Sequence, residues 1–152
     1  MYQLLTFLHS FVRWLVVISL AYAVYRAFKG YIRKAAFTKT DNLVRHWTAT
    51  IAHIQLVIGM LLYFRSPAIQ YFRSHFHEAV RITDIAFFGI YHAGCMLLAI
   101  VIITIGSALA KRKKDDKQQF KTLLTWYAIA LAIIFIAIPW PFSPFASRPY
   151  FR

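Results

Sequence analysis

The sequence is poor in acidic residues, in cysteine and in polar stretches. Of its 152 residues, only 5 are Asp or Glu, against 18 Lys or Arg, which gives a formal net charge of +13. The single cysteine, Cys95, cannot form an intramolecular disulfide, so a disulfide-stabilised scaffold is excluded. Hydrophobic residues make up 60% of the chain, too many for an ordinary soluble domain of this size.

Four segments are long and apolar enough to cross a bilayer, which needs about 20 apolar residues. They cover residues 4–25, 47–64, 85–110 and 123–140. The first segment lacks the basic region that begins a signal peptide, so we expect it to be retained as a helix. The sequence therefore predicts an all-α fold, an integral membrane up-down four-helix bundle in which residues 1–152 form a single domain.

The basic residues are concentrated in two of the three connections. The first connection, residues 26–45, carries six Lys or Arg and one acid, and the third, KRKKDDKQQFK, carries six more Lys or Arg. By the positive-inside rule these two connections are cytoplasmic, which predicts a multi-pass protein with N-out and C-out topology. The basic excess predicts contact with anionic membrane lipids and argues against nucleic acid as a partner.

The helix ends and the tail carry their own signals. FTKTDN predicts the start of the second helix, with Thr40 or Asp41 as its N-cap, and Asp84 is the expected N-cap of the third helix. Residues 141–152 are rich in proline and aromatic residues. They predict an interfacial tail with its aromatic rings at headgroup depth, and a lid over the outer mouth of the bundle is the alternative.

Two of the intramembrane histidines lie at matching depth. At a rise of 1.5 Å per residue, His9 lies roughly 9 Å and His92 roughly 8 Å outside the midpoints of their spans. The first and third helices of an up-down bundle are diagonal neighbours. A diagonal pair at equal depth suits haem b, whose iron takes axial imidazoles from opposite faces. We therefore predict one non-covalent haem b with His9 and His92 as bis-histidine ligands of the iron.

His53 is the third intramembrane histidine. It lies within about 5 Å of the midplane on the inner side, about one and a half to two turns from the level of the predicted pair. It is the alternate axial ligand or a residue that contacts a quinone. A lone histidine in a membrane helix also commonly bonds a carbonyl or hydroxyl of a neighbouring helix. These alternatives stay open at the level of sequence.

Arg13 lies one turn below His9 on the same face of the first helix. A charge near the middle of a membrane costs several kcal/mol, and all five acids of the chain lie at connections or span ends. Helical side chains lean towards the N-terminus, so the guanidinium is expected at the level of His9. A haem propionate would supply the missing anion. The alternative is snorkelling to the outer surface or bonding to carbonyls of the tail.

The motifs HSFVRW, RHWTATIAHIQLVIG, FFGIYHAG, ITIGSALAKRK and IPWPFSPFASRPYFR resemble those of small four-helix bacterial membrane proteins commonly labelled cytochrome B. The resemblance spans nearly the whole chain. It implies a b-type haem, electron transfer and a place in the bacterial inner membrane, with His9, His53 and His92 at motif positions. Many four-helix cytochromes b carry pairs of histidines on paired helices. Here they are spread singly over three helices, which leaves the axial pairing open.

Taken together, these features predict a b-type cytochrome-like protein that passes single electrons between a quinol or membrane respiratory complex and an outer acceptor. The alternative is a cofactor-free helical subunit that stabilises a larger membrane complex, as a homo- or hetero-oligomer. A haem-dependent four-helix oxidase comes third, because the motif around its early histidine is not found here. The sequence holds no acid–base dyad, nucleophile triad or phosphate loop, so no catalytic residue is predicted.

Overall fold

The structure is a computed structural model that describes residues 1–144 and 146–150, and all regular elements in this part of the chain are helical. The elements in chain order are α1 (Tyr2–Arg33), α2 (Lys39–Arg65), α3 (Pro67–Ser74), α4 (Phe76–Ala79), α5 (Thr83–Ala86), a π-helical turn (Phe87–His92), α6 (Ala93–Arg112) and α7 (Asp116–Ala137). The predicted all-α fold is confirmed.

Four helices are long and apolar enough to cross a membrane. They are α1, α2, the continuous helix Thr83–Arg112 that joins α5, the π-helical turn and α6, and finally α7. The short helices α3 and α4 lie in the connection between the second and third of these. The fourth membrane-length helix ends at Ala137, a little before the end of the predicted span at residue 140, because Pro139 cannot continue a helix.

The four long helices form an up-down bundle. α1 packs against α2 and α7, and α6 packs against the same two helices, so α1 and α6 face each other across the diagonal. One end carries the N-terminus and the C-terminal tail, and we call it the tail end. The other end carries the connections at 34–38 and 113–115, and we call it the basic end. The diagonal relation of the first and third spanning helices is as predicted.

Two helix starts differ from the prediction. The N-cap of α2 is Thr38, where Thr40 or Asp41 was expected. Asp41 occupies the third helical position and completes a capping box, since its Oδ2 accepts from Thr38 N at 2.9 Å while Thr38 Oγ1 accepts from Asp41 N at 3.2 Å. The N-cap of α5 is Ile82, and Asp84 lies inside the first turn, where its carboxylate is an ion-pair partner of the tail.

Small residues line the seams between the helices. Ala23, Ala27, Ala99 and Ala130 have no exposed surface and belong to one core cluster that runs through the bundle. Residues of this size let helix backbones approach closely, which is the main source of helix association where lipid removes the hydrophobic driving force.

Two glycines allow still closer contacts. A Cβ on Gly30 of α1 would lie 2.4 Å from Cζ of Phe120 on α7, and a Cβ on Gly106 of α6 would lie 2.3 Å from Cβ of Trp126 on α7. Both distances are shorter than real Cβ contacts. At Gly106 the contacted atom is a Cβ, so α7 can hold this position only against glycine. At Gly30 the contacted atoms form the outer edge of the Phe120 ring, so a larger residue would require the ring to move.

Arg45 of α2 is a buried cation near the basic end, with 6% of its surface exposed. Its Nη1 donates to Ser107 Oγ at 2.5 Å, and its Nη2 and Nε donate to Asn42 Oδ1 at 2.8 and 3.2 Å. Tyr127 of α7 closes the network by donating its hydroxyl to the Arg45 carbonyl at 2.8 Å. Neutral oxygens from two helices thus solvate a cation that has no carboxylate partner among the described residues.

Replacement of Tyr127 by Phe removes this buried hydroxyl without changing the ring. Because the Arg45 carbonyl loses its side-chain donor, we expect the free energy of unfolding to fall by about 1 kcal/mol. The measurement is unfolding of the detergent-solubilised protein in a denaturant series followed by helical circular dichroism. Tyr91→Phe is the control, since Tyr91 is 63% exposed and its change should be neutral. Equal stability of the two variants would contradict the network.

Candidate functional site at the tail end of the bundle

His9 of α1 and His92 at the end of the π-helical turn meet across the diagonal of the bundle. Their ring centroids are 6.3 Å apart, and the ring planes are inclined by 70°. Two imidazoles on opposite sides of one metal, each with a nitrogen about 2 Å from it, have their centroids about 6 Å apart. The structure therefore brings the two histidines of the predicted pair together, at a separation that suits a shared metal.

The protonation of His92 is fixed by its partner. His92 Nδ1 lies 2.8 Å from the carbonyl oxygen of Ala137, the last residue of α7. Since a carbonyl only accepts, Nδ1 must carry the proton, and Nε2 keeps its lone pair. Nε2 makes no hydrogen bond within residues 1–144 and 146–150. This is the arrangement of a metal-ligating histidine, whose other ring nitrogen typically donates to a carbonyl or carboxylate.

The π-helical turn Phe87–His92 carries His92 into this position. Such turns are rare and often mark functional sites. Tyr63 of α2 donates its hydroxyl to the Gly89 carbonyl at 3.0 Å, and a Cβ on Gly89 would lie 2.9 Å from Cγ of Phe72 in α3. The turn is thus held from both sides. Sequence reasoning missed it, and Gly89 was the only local signal.

Gln55 of α2 positions His9. Its Nε2 donates to the His9 carbonyl oxygen at 3.0 Å and lies 3.3 Å from His9 Nε2. Gly59, one turn further along α2, leaves room for the imidazole, because a Cβ there would lie 3.2 Å from His9 Cε1. Gln55 was not among the site residues predicted from the sequence. The sequence feature that could have identified it is its polar amide side chain inside an apolar membrane span.

Three buried polar atoms of this region have no hydrogen-bond partner among the described residues. They are His9 Nδ1, Gln55 Oε1 and Arg13 Nε. More than nine in ten buried polar groups in proteins are paired, and an unpaired one calls for an explanation such as a bound water, an ion or a functional role. These three atoms are concentrated around the histidine pair. This part of the bundle therefore has buried hydrogen-bonding atoms that are available to a ligand.

Arg13 finds a partner in the C-terminal tail. Its Nη2 donates to the carbonyl oxygen of Tyr150, which also accepts from Trp14 Nε1 at 3.3 Å. The structure thus provides the tail-carbonyl partner that was the alternative to a haem propionate.

The tail folds back over the bundle beside the histidine pair. Trp140 packs edge-on against Trp14 of α1, with ring centroids 5.8 Å apart. Arg148 pairs with Asp84 at 2.5 Å, and its guanidinium carbon lies 4.9 Å above the ring of Phe88. The tail thus contacts α1 and the start of the third spanning helix, as a lid would. Of the predicted tail 141–152, residues 145, 151 and 152 lie outside the described part of the chain.

His53 is not brought to the pair. It lies on the exposed side of α2, where Nδ1 donates to the Ala49 carbonyl at 2.7 Å and Nε2 lies 3.2 Å from Thr104 Oγ1 on α6. The ring thus lies between α2 and α6. Thr104 has a single hydroxyl proton, which it donates to the Ile100 carbonyl oxygen at 2.7 Å, so the Nδ1 bond is the shorter and firmer of the two His53 contacts. Among the described residues, those around the histidine pair included, no group of three or more His, Cys, Asp or Glu side chains is arranged to hold a metal ion.

Comparison of the chain with family models, with curated proteins and with solved structures finds no match. The site is therefore interpreted from its own chemistry. Two imidazoles face each other across a helical bundle, one of them has its ligating nitrogen free, and two arginines stand nearby. The chemistry of this donor set fits a metal bound by two histidine side chains.

Proposed function

We propose that this chain is a b-type cytochrome-like protein of the bacterial inner membrane that holds one haem b between His9 and His92 and passes single electrons. The observation that carries the proposal is the histidine pair, with ring centroids 6.3 Å apart and with His92 oriented by the Ala137 carbonyl. A bound haem would supply a one-electron iron couple.

The residues around the pair have separable tasks in this proposal. The Ala137 carbonyl holds the proton on His92 Nδ1 and so keeps Nε2 available as a ligand. Gln55 and Gly59 set the position of the His9 ring. Arg13 and Arg148 each have a buried Nε without a hydrogen bond among the described residues, and in this proposal these atoms would hold the acidic groups of a bound haem.

With both histidines bound, the iron would have no open position, which would favour electron transfer over oxygen chemistry. The electron donor in this proposal is a quinol or a membrane dehydrogenase. The basic residues of the 26–45 and 111–121 segments support a cytoplasmic basic end by the positive-inside rule, and the haem of this proposal would then lie in the outer half of the membrane.

The test is the reduced-minus-oxidised visible spectrum of the detergent-purified protein, together with extraction and quantification of its haem. We expect the sharp α band of six-coordinate b haem and one haem per chain. A protein that stays colourless after haem supplementation during expression would overturn the proposal.

A cofactor-free subunit of a larger membrane complex is the second candidate. It is favoured by the bond between Arg13 and the Tyr150 carbonyl, which gives the intramembrane cation a partner from the chain itself. Isolation of the protein from native membranes in mild detergent separates the two functions. A colourless chain that co-purifies stoichiometrically with other subunits would support this second function.

A further inference from the structure

A groove opens at the basic end of the bundle, which is the end opposite to the histidine pair. It lies between the last turns of α1 and the connection that leads into α2, and its volume is about 350 Å³. Gly30 and Phe120 form part of its wall. Its polar lining consists of Tyr22, Tyr25, Arg26, Lys29, Arg33 and Thr38, together with Asp41.

The groove has an excess of positive charge. Arg26 is committed to Asp41, with Nη2 2.8 Å from Oδ1, and its Nη1 donates to the Tyr22 hydroxyl at 3.3 Å. Lys29 and Arg33 are exposed, and neither has an acidic partner in the part of the chain that the structure describes. Three cations against one carboxylate leave the groove with two uncompensated positive charges.

The length of α1 places the groove at headgroup depth. The helix has 32 residues and is about 48 Å long, whereas the hydrocarbon core of a bilayer is about 30 Å thick. Its last turns, from Arg26 to Arg33, therefore lie beyond the hydrocarbon. Tyr22 and Tyr25 are exposed on the side that leads to the groove, at the level where aromatic residues meet the headgroups.

The exposed face of α1 continues from the groove towards the middle of the membrane as an apolar surface. Ile18, one turn before Tyr22, is 62% exposed. A molecule with an anionic head and an apolar chain would contact both the basic groove and the apolar face of α1. A small soluble anion would contact only the groove. We propose that the groove binds the phosphate of one anionic phospholipid, with Lys29 and Arg33 as its direct partners and Arg26 as a positioning residue.

The experiment is native mass spectrometry of the full chain in a neutral detergent, with phosphatidylglycerol and, separately, phosphatidylcholine added in a concentration series. The test variant is Lys29→Gln combined with Arg33→Gln. Lys111→Gln combined with Lys114→Gln is the matched control, because it removes the same charge from the other connection at the same end. All four side chains are exposed, and far-UV circular dichroism checks that each variant keeps its helical content.

The native chain should retain one phosphatidylglycerol in preference to phosphatidylcholine. The test variant should bind it at least tenfold more weakly, since it removes both direct partners of the phosphate, and charge-assisted hydrogen bonds are about twice as strong as neutral ones. The control should change affinity less than threefold, and the charge-conserving pair Lys29→Arg with Arg33→Lys should retain binding.

Three outcomes would overturn the proposal. Equal losses in the test and control variants would mean diffuse attraction by net charge, and equal retention of both lipids would mean no anion recognition. Displacement of the lipid by inorganic phosphate at comparable concentration would mean a site for soluble anions. None of these outcomes depends on whether haem is bound.

Discussion

His92→Ala is expected to abolish the six-coordinate b-type spectrum and to lower the haem content of the purified protein more than tenfold. His9→Ala should have the same effect, because the two rings face each other across the bundle and each supplies one side of the proposed pair. Loss of a residue that only orients a metal ligand already costs about 10–100-fold in metal affinity, so loss of the ligand itself should cost at least as much. The measurement is haem per chain and the reduced-minus-oxidised spectrum.

His53→Ala is the matched control for this prediction. It removes an intramembrane imidazole that contacts Ala49 and Thr104 instead of the histidine pair, so the spectrum should stay that of the native protein. His92→Gly in the presence of free imidazole should regain the α band, which separates lost ligation from misfolding. A native spectrum in His9→Ala or His92→Ala, with a lost band in His53→Ala, would show that the histidine pair is not the axial pair.

Gly106→Ala is expected to lower the free energy of unfolding by about 1–3 kcal/mol, the usual cost of overpacking a closely packed interior. The added Cβ would lie 2.3 Å from Trp126 Cβ, an atom bonded directly to the backbone of α7. No side-chain rotation can relieve that contact, so α6 and α7 must separate. Denaturant unfolding in detergent, followed by circular dichroism, measures the change.

Gly94→Ala is the control, because it is the same substitution in the same helix. A Cβ at this position would meet no atom within 4 Å, and alanine favours a helix over glycine by about 1 kcal/mol. We therefore expect this variant to be as stable as the native protein or more stable. Equal stabilities of the Gly106 and Gly94 variants would contradict the close contact of α6 with α7.

The depth of the histidines could be predicted from the sequence, and their partners could not. The rise along a helix is nearly constant, so counting residues from the middle of each span places His9 and His92 at similar levels. Their meeting then requires only the diagonal relation of the first and third spanning helices, which the bundle adopts. Hydrogen-bond partners depend in addition on the rotation of each helix about its axis.

Gln55 and His53 illustrate that second requirement. Residues two apart on a helix project to nearly opposite sides, so only one of the two side chains can point towards His9. Because α2 is apolar nearly all round, its sequence does not reveal which side that is. In the folded bundle Gln55 contacts His9, whereas His53 faces outwards and bonds Thr104.

The sequence by itself determined the four long helices, the segregation of basic residues to one end and the level of the histidine pair, because apolar length, charge and helical rise are local quantities. The tertiary structure alone decided the π-helical turn before His92, the contact of Gln55 with His9 and the bond between Arg13 and the Tyr150 carbonyl. Each of these joins residues that are distant in sequence or depends on such a contact. Their positions are fixed only when the helices pack and the tail returns over the bundle.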